Sequence, residues 1–384
     1  MTDSQRCPVR TRVLMYLLTL SMVGLRPMAI GYVYTLWVAP VFVGLAVLIV
    51  VLDKGSADNP QTSSQMLALV TTAVAMNGTS LLLAYSLAVQ NSTIELCVAL
   101  VLFARIFRCS RHRDLFFRCY FEVLALLCAS SLVTSLVEQF APGVDLEIGR
   151  IQSGRNDLEY VRTVLFPCSL RWDFAGIRSE TARYSHMFNE PGMAPGFLWA
   201  GIVWAWRRRR VVVMALFVAG LILTRSTGVA LVGGVVLVTA VLFERRFSLL
   251  ARIPIVVVIG VISFVLFQFT PNYGYLDKEQ THGGSFSDRI QTYEEMADFF
   301  NPATLPTNVT LALGLVLCLV GATRKRAPRS YRMQIVGLAA NSLINWIQIT
   351  PMFASFLLFD EESDDLAGPP TPASTSATVR QQPT

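Results

Sequence analysis

The stretch from Arg171 to Gly192 carries the most varied chemistry in this chain. Candidate ligand-binding groups are Arg178, Arg183, His186 and Glu190. They are interleaved with the aromatic residues Trp172, Phe174, Tyr184 and Phe188. Polar donors beside aromatic faces suit a sugar or a phosphate ligand. The alternative is a solvated loop with local ion pairs, since residues 139–189 contain six arginines and six acidic residues.

A second candidate is Arg225, which interrupts an apolar run that extends from Val211 to Phe243. An arginine at membrane depth is costly and is usually functional. The surrounding Thr-Arg-Ser-Thr-Gly sequence favours a turn whose backbone N–H groups face an anion. Alternatively, Arg225 caps two short helices at the membrane interface.

Arg289 is the third candidate, because it directly precedes an amphipathic stretch at 291–300. Apolar residues recur there at helical spacing. Such a helix could lie on a membrane surface and hold Arg289 over a cavity. A plain packing helix with a solvated arginine is the alternative.

The composition indicates a membrane protein that must position these groups. Hydrophobic residues make up 53% of the 384 residues and charged residues 15%, whereas soluble domains carry about 25% charged residues. The net charge of +6 falls in short loops between apolar runs. This arrangement excludes a nucleic-acid-binding protein, which would gather the excess on one soluble face.

Apolar runs of roughly bilayer length predict an all-α, polytopic integral membrane protein with about 11 transmembrane helices. Residues 1–359 form the single membrane domain, and the acidic, then Pro/Ser/Thr-rich tail 360–384 is predicted to be disordered. The predicted spans are 13–25, 29–52, 65–87, 92–107, 119–138, 190–206, 211–223, 228–243, 253–270, 306–322 and 333–359.

The arginine clusters predict the orientation. Basic residues gather at 105–118, 207–210, 244–252 and 324–332, in alternate loops. Cytoplasmic loops carry the excess of Lys and Arg, so the N-terminus is predicted to be cytoplasmic. The two long loops, 139–189 and 271–305, are then extracytoplasmic.

Other kinds of site find little support. No Cys/His spacing resembles a metal site, and no nucleotide-binding fingerprint or metal-binding Asp-x-Asp pair is present. Glu95, Glu122 and Glu138 lie in predicted helices. They could form the proton path of a transporter, or they could be paired or interfacial.

Three segments in order resemble the O-antigen polymerase and O-antigen ligase-like family of bacterial envelope glycosyltransferases. The first is Arg183-x-x-x-x-Phe188-x-Glu190-Pro191-Gly192-x-Ala194, the second is Leu223 to Gly228, and the third is Ser287-Asp288-Arg289. In the family, glycine stands where this chain has Met187. Ligases often have a His-Asn pair before the next helix, and this chain lacks it.

The resemblance implies transfer between lipid-linked sugars on the periplasmic face of the inner membrane. The donor would be an oligosaccharide on undecaprenyl diphosphate, and the acceptor would be a hydroxyl of another repeat unit. Arg183, Arg225 and Glu190 are the expected catalytic residues, with Arg289, His186 and Arg178 binding substrate. No metal and no cofactor is expected, because guanidinium groups can stabilise a diphosphate leaving group. A chain-length regulator and a flippase are expected partners.

An O-antigen or exopolysaccharide polymerase is therefore the first hypothesis. The nearest alternative is a ligase that transfers finished glycan to lipid A core or to a protein. A flippase or exporter would need several charged residues along the helices, whereas the sequence places most charge in loops. A catalytically inactive accessory protein is a further alternative.

Overall fold

The computed structural model describes residues 8–25, 28–52, 98–99, 101–152, 160–174, 183–244, 247–270, 274–276, 329–345 and 356. Within these ranges the chain is mostly helical, and one small sheet follows the third helix. The helices are α1 Val9–Met22, α2 Ala29–Leu52, α3 Ser110–Phe140, α4 Ala194–Arg207, α5 Val211–Thr224, α6 Gly228–Leu242, α7 Leu249–Phe269 and α8 Arg329–Asn345. The strands are β1 Glu147–Gln152, β2 Tyr160–Leu165, β3 Ser169–Phe174 and β4 Arg183–Tyr184, and a 3-10 turn spans Pro191–Met193.

Several predicted spans agree closely with the observed helices. The predicted bounds of α2 are confirmed, and those of α5 and α6 differ by one residue. α3 is longer than its predicted span of 119–138, because the basic residues before position 119 continue the helix. The predicted spans 65–87 and 306–322, and positions 346–355 and 357–359 of the last predicted span, lie outside the described residues.

Two of the described helices are long and apolar enough to cross a membrane: residues 111–140 of α3 and residues 250–269 of α7. They differ in their surroundings. More than half of the apolar window of α3 is buried by other elements, whereas none of the corresponding window of α7 is. α7 therefore presents apolar side chains outward, and Leu250 is 81% exposed.

The described helices have two distinguishable ends. At the basic end, Arg210 Nη1 of the α4–α5 connection lies 2.8 Å from Glu122 Oε1 of α3, and Arg329 at the start of α8 pairs with Glu244 after α6. α3 and α5 run parallel from this level, because Cys128 packs beside Gly220 further along both helices. Both helices end at the sheet, which marks the opposite, sheet end.

The sheet lies inside the first long loop, for which the sequence predicted no strands. Its strands are antiparallel in the order β1-β2-β3-β4. The residues Ile151, Arg162, Trp172 and Arg183 are cross-strand partners in one row, while Arg150, Thr163, Arg171 and Tyr184 form the next row. Successive side chains of a strand point to opposite faces, so the two rows occupy different faces of the sheet.

An aromatic cluster fixes α3 against α4 and α5. The ring of Phe121 lies 5.0 Å from that of Trp204 and 6.3 Å from that of Phe217, measured between centroids. All three side chains are buried. Buried aromatic contacts of this kind hold helices at a fixed spacing. The connections that join these helices at the sheet end are therefore also held in place.

Candidate functional site

A strained turn connects β4 to the 3-10 turn. The N–H of Phe188 donates to the carbonyl of Ser185 at 2.7 Å, and φ is 49° at His186 and 72° at Met187. Positive φ at both central residues is the pattern of a type I′ turn, which favours Gly, Asn and Asp. A non-glycine residue in this region costs on the order of 1–3 kcal/mol, so the surrounding contacts must impose the conformation.

Three separate elements hold this turn. The N–H of Ser185 donates to Leu170 of β3 at 2.9 Å, and the N–H of Ala29 in α2 donates to the carbonyl of Met187 at 2.7 Å. The ring of Phe188 stacks on that of Phe197 in α4, with the centroids 5.4 Å apart. The backbone of residues 185–188 is therefore fixed between the sheet and two helices.

His186 links the turn to α5. Its Nε2 lies 2.9 Å from the carbonyl oxygen of Gly220, and its side chain is fully buried. A carbonyl can only accept, so Nε2 carries the proton and Nδ1 presents a lone pair. Burial lowers the pKa of His186 to about 4, against a smaller opposing effect of the hydrogen bond to Gly220. The imidazole is neutral at physiological pH.

The lowered pKa of His186 predicts a loss of stability in mild acid. The unfolded chain binds a proton near pH 6.5 but the folded chain does not until about pH 4, so stability falls as the pH drops through this window. The loss by pH 5 should be about 2 kcal/mol. We expect thermal unfolding of the wild type to shift downward between pH 7.5 and pH 5 more than that of His186→Gln. Parallel shifts in the two proteins would contradict this prediction.

Gly220 permits the close approach of α3, α5 and the turn. A Cβ at this position would lie 2.7 Å from Cys128 Sγ and 3.4 Å from His186 Nε2. The sulfur is part of a fully buried side chain, so it has little space into which to move. The absence of a side chain at Gly220 therefore lets the turn reach the helix backbone.

Gly220→Ala should consequently lower the melting temperature, although alanine is the better helix former by about 1 kcal/mol. The matched control is Gly260→Ala in α7, where a Cβ meets nothing within 4 Å; this change should be neutral or stabilising. Adding Cys128→Ala to Gly220→Ala should restore part of the loss by removing the sulfur. Equal melting temperatures for the two alanine variants would refute the packing argument.

Arg225 ends α5 in a left-handed conformation, with φ 45° and ψ 40°. The apolar run therefore breaks where the sequence predicts, and α6 begins at Gly228. Arg225 lies five positions after Gly220, which corresponds to a rise of about 7.5 Å along the helix. Arg225 is thus held at the sheet end of the same helix that His186 contacts, and its side chain is half-buried.

Arg183 belongs to a row of residues on one face of the sheet. It is the cross-strand partner of Trp172, whose own partner on β2 is Arg162. The guanidinium carbon of Arg162 lies 5.3 Å from the ring centroid of Trp172, and Arg162 is 5% exposed. Arg162 was not among the candidates identified from the sequence. The signal was present, since β-branched and aromatic residues flank the three-residue connection Phe166–Cys168, as in a hairpin.

The neighbouring row of the sheet is fixed to α3 through Glu138. This carboxylate accepts hydrogen bonds from Arg171 and Tyr184, and the side chains of Arg171 and Glu138 are each 9% exposed. Burial, and then the hydrogen bond to Glu138, raises the pKa of Tyr184. Glu122 likewise pairs with Arg118 and Arg210. Of the alternatives for these two glutamates, pairing is confirmed; Glu95 lies outside the described residues.

Glu190 directly precedes the 3-10 turn, and Pro191 occupies the first position of that turn as expected for a helical start. Its side chain makes no capping hydrogen bond and is half-buried. The side chain of Glu190 therefore does not cap this turn through a hydrogen bond. The carboxylate remains a candidate base.

Two of the predicted substrate-binding residues, Arg178 and Arg289, lie outside the described residues. Among those described, the structure brings Arg183, His186, Glu190 and Arg225 to the sheet end. The described part of the chain contains no group of three or more His, Cys, Asp or Glu residues that could hold a metal ion.

Comparison of the chain with protein-family models, with curated proteins and with solved structures finds no match.

Proposed function

We propose that this chain is a polytopic membrane glycosyltransferase that polymerises O-antigen or exopolysaccharide. It would join undecaprenyl-diphosphate-linked repeat units on the periplasmic face of the inner membrane. One observation carries the proposal: Arg183, His186 and Glu190 of the segment 183–190 and Arg225 of the α5–α6 connection lie at the same end of the helices. Contacts to Gly220, Leu170 and Ala29 hold the turn within that segment.

The exposed apolar surface of α7 supports a location in the membrane. Val257, Val258 and Ile262 are each more than half exposed and cover about 140° of the helix circumference, which is wider than a single stripe. A helix with outward apolar side chains is stable in lipid, where it needs no aqueous face. The proposal retains about 11 transmembrane helices, of which the described helices are a part.

The two ends of the helices support the proposed orientation. The arginines at 207–210, and Arg329 with Glu244, gather at the basic end. Excess positive charge marks the cytoplasmic side of a membrane protein. The sheet end, with its candidate residues, would then face the periplasm, and the N-terminus would be cytoplasmic.

The proposed chemistry is a displacement at an anomeric carbon. The acceptor hydroxyl oxygen forms a bond to that carbon as the bond to the diphosphate oxygen breaks, and Glu190 accepts the hydroxyl proton. Arg183 and Arg225 would stabilise the negative charge on the departing diphosphate. Fixed guanidinium groups form charge-assisted hydrogen bonds that do not need to reorganise during the reaction.

The test is an analysis of lipid-linked and surface glycans in a deletion strain and in the complemented strain. A polymerase predicts surface glycan with a single repeat unit in the deletion strain and a full ladder after complementation. Polymer that accumulates on the lipid carrier would instead show a ligase, and single units retained on the cytoplasmic face would show a flippase. An unchanged ladder in the deletion strain would refute the proposal.

A further inference from the structure

Three buried polar atoms gather in the strained turn and immediately after it. Ser185 and His186 are fully buried and Asn189 is 6% exposed. Within the part of the chain that the structure describes, Ser185 Oγ, His186 Nδ1 and Asn189 Oδ1 have no hydrogen-bond partner. Buried polar atoms in native proteins are nearly always satisfied, so three in five residues require an explanation.

The chemistry of these atoms limits what could satisfy them. His186 Nδ1 is an acceptor because Nε2 carries the proton that is donated to Gly220. Asn189 Oδ1 is also an acceptor, and the Ser185 hydroxyl can donate or accept. The group that completes this set must therefore bring hydrogen-bond donors.

This requirement separates the two parts of a lipid-linked sugar. An ionised diphosphate offers oxygen lone pairs and no N–H or O–H, so it would meet His186 Nδ1 and Asn189 Oδ1 unfavourably. A sugar hydroxyl donates one hydrogen bond and accepts others. Sites built to pair with a substrate hydroxyl discriminate strongly, because an unpaired buried acceptor is costly.

We propose that Ser185, His186 and Asn189 form a subsite for the hydroxyl groups of a glycan, distinct from the arginines that would take its diphosphate. This inference rests on the proposed function and divides its substrate between two groups of residues. The strained backbone supports it, since turns held in costly conformations cluster at ligand sites. The contacts of residues 185–188 to α2, β3 and α5 would hold the three atoms in place before the glycan arrives.

The experiment uses the full-length protein in lipid nanodiscs and two probes. One probe is the repeat-unit oligosaccharide released by mild acid from lipid-linked material of the producing strain, and the other is inorganic pyrophosphate. We expect Ser185→Ala and Asn189→Leu each to weaken oligosaccharide binding about tenfold, as for the loss of one hydrogen bond to a buried partner. Pyrophosphate binding should change less than twofold. Asn189→Asp, which keeps an acceptor oxygen, should retain oligosaccharide binding better than Asn189→Leu.

Two variants of His186 test the assignment of its nitrogens. The longer side chain of Gln can still donate to the carbonyl of Gly220, as Nε2 of His186 does, but it has no acceptor at the position of Nδ1. The shorter side chain of Asn keeps a polar atom at the δ position but cannot reach Gly220. We expect His186→Gln to keep stability and lose oligosaccharide affinity, and His186→Asn to lose stability. Melting temperatures identify any variant that fails to fold. In that case the near-isosteric variants Ser185→Ala and Asn189→Asp decide whether these polar atoms bind the oligosaccharide.

The outcomes separate this inference from the proposed function. Wild-type affinity for the oligosaccharide in Ser185→Ala, Asn189→Leu and His186→Gln would mean that the polar atoms hold only ordered water, and it would overturn the subsite alone. Binding of pyrophosphate without oligosaccharide by the wild type would also overturn the subsite alone. Failure of the wild type to bind either probe would overturn both.

Discussion

Arg183→Ala should reduce the surface glycan from a ladder to core carrying a single repeat unit, while the protein remains folded at its normal level. The expected loss of polymerisation rate is 10²-fold to 10³-fold, as for removal of one fixed donor from a site that stabilises developing negative charge. The sheet should stay attached to α3, because the adjacent Tyr184 and not Arg183 belongs to the row that contacts Glu138. The measurements are the glycan profile on a gel and the melting temperature of purified protein.

The matched control for this substitution is Arg150→Ala. Arg150 lies on β1 of the same sheet, but its side chain is 57% exposed and pairs with Glu147 at 2.7 Å. An exposed pair contributes little, so this variant should give a normal ladder. Arg183→Lys keeps the charge but loses the planar, two-pronged donor geometry, and its activity should lie between those of wild type and Arg183→Ala. A normal ladder in Arg183→Ala would remove Arg183 from the proposed site.

Glu138→Ala should detach the sheet from α3 and abolish polymerisation through loss of structure. It would leave the buried guanidinium of Arg171 without its carboxylate, and breaking a buried ion pair from one side costs about 3–5 kcal/mol. The expected results are a lower melting temperature, increased proteolysis between 141 and 183, and no polymer. The exposed counterpart, Glu147→Ala, should change stability by less than about 1 kcal/mol.

A double variant distinguishes a structural role of Glu138 from a role in proton transfer. Glu138→Leu with Arg171→Met removes both charges, and such apolar replacements of a buried pair are often neutral. We therefore expect the double variant to be more stable than Glu138→Ala. A transporter with a proton path through Glu138 predicts a different result, in which Glu138→Gln abolishes function without any change in melting temperature.

The helices could be predicted from the sequence because their physical basis is local. Apolar runs such as 211–224 and 228–242 can be identified as helices without knowing what packs against them. Arg225 marks the break between these two helices. The sheet was missed for a different reason. Its charged residues suggested a solvated loop, whereas Arg162 and Arg171 are buried against Trp172 and Glu138 respectively. Only tertiary partners make an arginine-containing strand part of a core.

The sequence identified candidate residues one by one, but it could not predict how they are assembled or that Ser185 and Asn189 are buried beside them. Arg183, His186, Glu190 and Arg225 were identified by residue type and motif. The link from His186 to Gly220, and the proximity of Gly220 to Cys128, depend on how α3 and α5 pack. Met187 illustrates both cases: its place beside Phe188 could be read from the sequence, whereas its φ of 72°, a conformation that favours glycine, emerges only from the structure.

The attachment of residues 185–188 to three elements has a consequence for recombination. The turn exchanges backbone hydrogen bonds with Ala29 and Leu170, and His186 with Gly220, although these partners lie up to about 190 residues apart in the chain. A chimera that takes 183–192 from one parent and α5 from another would combine a side chain and a carbonyl that were never selected together. Functional chimeras should therefore be confined to crossovers that keep 28–29, 170, 185–188 and 220 from a single parent.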